Sequence, residues 1–238
     1  MADLPSFLLS SCPKEHEFLV PVMKDHIDVL KIAPRILVNT VRELEIESVE
    51  KLEFLPIGPL IPSDSPDMFE KTEDDYIYIQ WLNTQPKSSV VYVSFGTIAT
   101  FGMEQLEEMA SGLVEIGRPF LWVIREGEQA EKFSKVEELQ KQGMIVGWCS
   151  QVEVLSYQAI GCVVMHCGWN STVEVLVAGV PTVAFPQWSD QGMMRCVEMV
   201  MEGKEMKRNS EKRREVTREA LKNGGPSTIN LQTFLHDV

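Results

Sequence analysis

Hydrophobic and polar positions divide the chain into stretches of different rhythm. In residues 1–58, Phe18, Leu19, Val22, Val29 and Leu30 fall at roughly helical spacing, broken by Pro21. Arg35–Asn39 reads as a short apolar strand, and Leu44, Ile46, Val49 and Leu52 as part of a following helix. One strand and two helices cannot close a sheet, so this unit reads as a small α/β piece of something larger. Residues 59–75 open with Pro59-Leu-Ile-Pro-Ser-Asp-Ser-Pro and continue as an acidic run. Proline, serine and charge without periodicity mark a linker.

From residue 76 to 238 the pattern becomes βα repeated. Val90–Phe95 is a near-continuous apolar strand, and Leu106, Met109, Ala110, Leu113 and Ile116 form the helical stripe after it. Further strands are expected at Phe120–Ile124, Met144–Val146, Cys162–Met165 and Thr182–Phe185. Short apolar strands alternating with helices predict a Rossmann-like parallel sheet flanked by helices. A charged helix through Leu221, a Gly224-Gly225-Pro226 break and a short apolar pattern at Leu231, Phe234 and Leu235 end the chain.

Composition narrows the function classes. With 238 residues and 44% hydrophobic content, the chain has ample material for a buried core. The 22 Lys+Arg against 35 Asp+Glu give a formal net charge of −13. Such a field opposes binding to nucleic acid or an anionic membrane, where cationic side chains must displace counterions. A phosphate ligand would have to be held by local donors and dipoles instead. Five cysteines (Cys12, Cys149, Cys162, Cys167, Cys196) form no CxxC pair. They read as reduced thiols rather than a disulfide framework or a zinc site. The N-terminus has no signal-peptide pattern, and no apolar run approaches a membrane span, so a cytoplasmic protein is expected.

One segment is built for a phosphate. Cys162-Val-Val-Met-His166-Cys-Gly-Trp-Asn-Ser171-Thr-Val-Glu174 reads as a strand ending at Met165, a close-approach glycine at Gly168 and a helix starting at Ser171. Ser171 and Glu174 have capping-box spacing, and Gly179 followed by Pro181 ends the helix. The unpaired N–H groups of the first turn and the positive end of the helix dipole would face a diphosphate. His166, Asn170 and Ser171 would add side-chain donors. Taken singly, Trp148 reads as a core or loop aromatic, His166 as a structural histidine, and Ser171, Glu174 and Asp190 as helix caps.

Trp148-Cys-Ser-Gln151, His166 to Glu174 and Phe185-Pro-Gln-Trp188-Ser-Asp190-Gln191 together resemble the plant secondary-product glycosyltransferase box. Similarity extends outward through Pro56–Pro62, Trp81-Leu-Asn, Ser89–Thr97 and Gly117–Arg125. Nearly the whole chain is similar to plant UDP-glycosyltransferases of the GT-B fold, near those that glucosylate flavonoids, anthocyanidins and apocarotenoid acids. The resemblance implies that Trp148 stacks on uracil, that backbone near Cys149 and Gln151 reads the uracil edge, and that Glu174 holds the ribose. It further implies that His166, Asn170, Ser171 and Thr97 hold the diphosphate, and that Trp169, Asp190 and Gln191 contact the sugar. Gln191 resembles the glucose-preferring pattern. UDP-glucose is then a co-substrate, with no further cofactor and no metal implied, and a small phenolic or apocarotenoid molecule is the acceptor.

Two departures from the family pattern stand out. The family has an N-terminal domain that supplies the acceptor pocket and a histidine base, and none of the four histidines here matches that motif. The catalytic residue is therefore not assignable. After Gln191, Met193–Glu202 runs almost directly into Gly203-Lys-Glu-Met and the charged helix, so one strand and its crossover are expected to be absent. The sequence thus reads as the donor-binding fragment of an inverting UDP-glucose-dependent O-glycosyltransferase. Residues 1–58 are then the tail of the acceptor domain, and the apolar face of Leu231, Phe234 and Leu235 is exposed and favours self-association. The alternative is a non-catalytic UDP-sugar-binding remnant or a regulatory partner of a full-length glycosyltransferase.

Overall fold

Strand β1 (Leu37–Val38) and strand β2 (Leu55–Pro56) pair in parallel, linked through a 3-10 turn at Arg42–Leu44 and helix α1 (Ile46–Lys51). The computed structural model describes residues 35–61, 73–96, 101–125, 133–185 and 193–236, besides the single positions Pro21 and Asp28. The sequence pattern does not predict β2, because a proline demotes a short apolar run to a non-strand. The ladder tolerates it here. Leu55 N–H donates to Ile36 O and Ile57 N–H to Val38 O, at 2.9 and 3.0 Å, so Pro56 sits where no N–H is needed. Its carbonyl faces the other way and accepts from Asn230 Nδ2 at 2.9 Å.

The main sheet contains β3 (Val90–Ser94), β4 (Phe120–Val123), β5 (Met144–Val146), β6 (Ile160–Met165) and β7 (Thr182–Ala184), in spatial order β5-β4-β3-β6-β7. All four pairings are parallel. Helices α2 (Glu73–Thr84), α3 (Met103–Ile116), α4 (Val136–Gln142), α5 (Gln151–Ser156), α6 (Trp169–Ala178) and α7 (Met193–Glu202) accompany it, followed by α8 (Lys204–Leu221) and α9 (Pro226–His236). Helix α2 begins at Glu73, inside the stretch that the sequence reads as linker.

The period of two along each strand sorts its residues onto two buried faces. Val91, Val93, Phe120, Trp122, Cys162 and Val164 pack with Leu106, Met109 and Leu113 of α3 and with Val197 and Val200 of α7. Val90, Tyr92, Leu121, Val163 and Met165 pack on the opposite side with Tyr78 and Leu82 of α2, Val154 of α5 and Val175 of α6. Burial on both faces explains the near-continuous apolar strands. Trp122 stacks on Phe133 at 5.5 Å between ring centres, closing one end of the first core.

Among the described residues, the sheet stops at β7 on the far side of β6. Only residues 186–192 lie between Phe185 and α7, and residues 193–236 are helical apart from short breaks. A further parallel strand would need a crossover of a dozen or more residues. A hollow of about 400 Å³ lies beside β7, walled by Met165, Val175, Val180, Met206 and Arg213 among others. Helix α8 closes against α6, where Arg218 Nε donates to Val177 O at 3.1 Å near the helix's carbonyl end. The last helix, α9, returns to the N-terminal unit, with Ser227 Oγ donating to Gly58 O at 2.6 Å. Leu231 and Phe234 are half-buried there, whereas Leu235 is 65% exposed.

Candidate functional site

The chain visits β3, β4 and β5 outward in one direction, then returns to lay β6 and β7 on the other side of β3. The order reverses between β3 and β6, and ligands of open α/β sheets bind beyond the strand ends at such a point. Two glycines flank the opening. Gly96, just beyond β3, has φ +68°, and a Cβ there would lie 2.7 Å from His166 Cε1. A Cβ on Gly168 would meet His166 Nε2. The His166 ring therefore fits only because both neighbours lack side chains. Its Nδ1 is buried without a hydrogen-bond partner among the described residues, and burial lowers its pKa from the ordinary 6.5. A neutral imidazole with a spare polar atom thus sits at the switch point.

Cys167 turns the chain with φ +62°, an uncommon conformation for a residue with a side chain. That turn brings Gly168 into the cap position of α6. The helix start expected at Ser171 is two residues too late. Gly168 takes the extended cap backbone, and its carbonyl accepts from Thr172 N and Oγ1 at 2.9 and 3.0 Å. A glycine cap carries no side-chain signal, and Ser171 misleads because it has the right chemistry one turn late. The expected Ser171–Glu174 capping box does not form. The first-turn N–H groups of Trp169, Asn170 and Ser171 have no partner within the helix. The side chains of Asn170 and Ser171 make no hydrogen bond among the described residues and lie at the same pole.

Glu174 lies farther along α6 and turns toward α5. Gln151 Nε2 donates to Glu174 Oε2 at 2.6 Å. Burial raises the Glu174 pKa above the ordinary carboxylate range, and the Gln151 bond partly offsets this. Behind the pair stands Tyr92, which is buried. Its hydroxyl donates to Gln151 Oε1 at a long 3.5 Å and lies 3.4 Å from Cys149 Sγ. Burial, followed by the Cys149 thiol, pushes the Tyr92 pKa well above 10. Ser150 caps α5, its Oγ accepting from Glu153 N at 3.4 Å. Trp148 lies in the loop before that cap and is 58% exposed, an unusual placement for so large an apolar ring.

The structure thus gathers His166, Asn170, Ser171, Glu174, Gln151 and Cys149 around the carboxyl ends of β3 and β6, with Trp148 in the adjoining β5–α5 loop. Trp169 starts α6, and its indole N–H donates to Asn39 O at 2.6 Å, a contact with the N-terminal unit. Thr97, Asp190 and Gln191 lie outside the described residues. So do His16 and His26, whereas His236 ends α9 and is exposed. Sequence reasoning missed Tyr92 and Asn39. A tyrosine hydroxyl inside the apolar run Val90–Ser94 was a signal for the first. The second acts through its backbone carbonyl, which leaves no trace in a sequence. Among the described residues, no three His, Cys, Asp or Glu side chains converge to hold a metal ion, and no helix is long and apolar enough to cross a membrane.

Comparison with known proteins gives a consistent answer. Residues 59–235 match the model of the family described as UDP-glucoronosyl and UDP-glucosyl transferase. UDP-glycosyltransferase 75C1 of Solanum lycopersicum is 44% identical over 290 aligned positions, covering 99% of this chain and 61% of that protein. Crocetin glucosyltransferase, chloroplastic, of Gardenia jasminoides is 42% identical, again over 99% of this chain and 61% of its own length. The chain therefore spans about three-fifths of the length of these relatives. Because 290 positions are aligned to only 238 residues, at least 52 positions of the first pairing have no residue here. Among solved structures, Os79 from O. sativa in complex with UDP superposes with a TM-score of 0.86 at 30% identity, over 99% of this chain and 62% of that one. A crystal of the same rice protein with U2F and trichothecene gives 0.86 at 32%. The chain belongs to the UDP-glucoronosyl and UDP-glucosyl transferase family, and its fold corresponds to the C-terminal half of the GT-B fold.

Proposed function

We propose that this chain binds a UDP-sugar, with UDP-glucose as the donor, at the β3/β6 switch point and acts as the donor-binding half of a plant O-glucosyltransferase. The observation that carries the reading is His166, held between Gly96 and Gly168 with an unpartnered Nδ1 beside the open N-terminus of α6. Diphosphate oxygens would accept from His166, from Asn170 and Ser171, and from the free N–H groups of the first turn. These donors supply local positive potential inside a chain of net charge −13. The exposed Trp148 ring offers a stacking face for uracil, and Glu174, held by Gln151, accepts from ribose hydroxyls.

Transfer would proceed with inversion. The acceptor oxygen bonds to the anomeric carbon as the bond from that carbon to the diphosphate oxygen breaks, and the acceptor proton passes to a base. Charge developing on the departing UDP falls at the α6 N-terminus, where fixed dipoles stabilise it without reorganisation. Residues 1–58 are proposed as the tail of the acceptor-binding domain, 59–75 as a linker and 76–238 as the donor-binding domain. Thr97, Asp190 and Gln191 are proposed to complete the donor site. The names of the relatives point to phenolic or apocarotenoid acceptors. Calorimetric titration with UDP and UDP-glucose tests donor binding. Incubation with UDP-glucose and a flavonoid panel, followed by mass spectrometry, tests transfer. A second reading, a non-catalytic UDP-sugar-binding partner of a longer glycosyltransferase, is favoured by the 52 or more unmatched positions and predicts binding without transfer.

A further inference from the structure

Asn39 is bonded from two directions. Its side-chain Oδ1 accepts from Leu60 N–H at 2.7 Å, and its backbone carbonyl accepts from Trp169 Nε1 at 2.6 Å. The β1–β2 ladder does not use that carbonyl, since Ile57 N–H and Thr40 N–H both go to Val38 O and Gly58 N–H goes to Thr40 O. The carbonyl therefore projects from the bend after β1 toward the donor domain.

The bend is held firmly from behind. A Cβ on Gly58 would lie 2.6 Å from Thr40 N and 2.7 Å from Asn39 Oδ1, so the two segments touch at backbone distance. Ser227 of α9 holds Gly58 O at 2.6 Å, and Asn230 holds Pro56 O at 2.9 Å. A continuous path thus runs from α9 through β2 and Asn39 to Trp169, the first residue of α6. The Trp169 side chain has only two rotatable bonds, so fixing its N–H fixes the start of the helix.

We infer that Asn39 and Trp169 form a clamp through which the N-terminal unit positions the diphosphate-binding end of α6. Asn39 and Trp169 are positioning residues in this role, because each acts through the helix terminus. The inference rests on the proposed diphosphate site and deepens it. Binding and clamping are then coupled in both directions: the clamp sharpens diphosphate binding, and bound nucleotide tightens the N-terminal unit. Uridine lacks the diphosphate and would depend on Trp148, Gln151 and Glu174, so it should sense the clamp much less.

The test uses the whole chain. Trp169→Phe keeps a ring but deletes the donor, Asn39→Ala deletes the acceptor for Leu60, and Asn39→Asp retains that acceptor. Dissociation constants for UDP and for uridine are measured beside amide hydrogen exchange over Leu55–Leu60. Loss of one hydrogen bond of ordinary strength predicts UDP binding about three- to tenfold weaker in Trp169→Phe, with uridine changed by less than about twofold. Asn39→Ala should shift the same ratio in the same direction, and Asn39→Asp should restore it. Exchange over Leu55–Leu60 should rise in the first two variants without nucleotide. A UDP-to-uridine ratio equal to the parent's in Trp169→Phe overturns the inference, as does unchanged exchange. Failure of the parent itself to bind UDP would instead remove the nucleotide reading, leaving exchange to decide whether the clamp exists.

Discussion

Gln151 and Glu174 meet at 2.6 Å, joining the first turn of α5 to the middle of α6 across 23 residues of sequence. The bond lies between the loop bearing Trp148 and the helix whose N-terminus faces the proposed diphosphate position. It fixes both walls of the proposed uridine pocket relative to each other. Burial disfavours the ionised Glu174 carboxylate, so an acceptor-only role depends on this donor.

Replacing Gln151 should therefore cost stability as well as affinity. Gln151→Ala leaves Glu174 without its donor and Tyr92 without one acceptor. A buried polar group left unpaired costs about 1–3 kcal/mol. Urea denaturation should show a loss in that range, and UDP binding should weaken in parallel. Gln151→Glu should be worse, because it places two carboxyl groups in contact. A variant as stable as the parent would show that Glu174 finds another partner.

Two titrations of opposite sign bear on pH dependence. The His166 pKa is lowered, so the folded chain resists protonating it. Its share of stability is complete above the ordinary 6.5 and is lost as pH falls through the lowered value. The Glu174 pKa is raised, so its contribution falls as pH rises past the ordinary carboxylate range. Bound diphosphate would favour the charged imidazole and draw the His166 pKa back up. UDP-glucose affinity should then increase as pH is lowered from about 8 toward the ordinary histidine range. UDP-glucose suits the measurement, because its diphosphate is esterified at both ends and does not titrate there. His166→Ala should flatten the profile, and a slope that survives the substitution would assign it to another group.

Donor preference gives a third expectation, from a residue that the resemblance singled out. Gln191→His should shift preference from UDP-glucose toward UDP-galactose, which differ in the orientation of one hydroxyl. Mismatched pairing of a buried polar group corresponds to about 1–3 kcal/mol between the two sugars. Competition binding with both donors reads it directly. An unchanged ratio would mean that Gln191 does not contact the sugar.

Much of this architecture was legible because it rests on side-chain pattern. Strands β3 to β7 announced themselves as apolar runs, since helices cover both faces of a parallel sheet and no polar alternation is allowed. The stripe from Leu106 to Leu113 was equally plain. The candidate site box could be read in the sequence because its chemistry sits on side chains, and the structure brings His166, Asn170, Ser171, Glu174, Gln151 and Cys149 to one end of the sheet. What escaped depends on the backbone. The α6 cap is a glycine, β2 contains Pro56 at a position needing no N–H, and Asn39 grips Trp169 through a carbonyl. Residues 35–61 therefore looked separate in sequence, although α9 and Trp169 both tie them to the elements of the main sheet in space.

Calorimetric titration of the purified chain with UDP, beside its Trp148→Ala variant, decides whether the switch point is a nucleotide site. Trp148 offers an exposed ring next to the proposed uridine pocket and belongs to neither buried core cluster. Its removal should delete a stacking face, which contributes about 1–3 kcal/mol per base. Saturable binding of one UDP per chain is expected, weakened in the variant by that amount. No binding heat at millimolar UDP, or equal affinity in parent and variant, would contradict a uridine diphosphate site built on Trp148 and the α6 N-terminus.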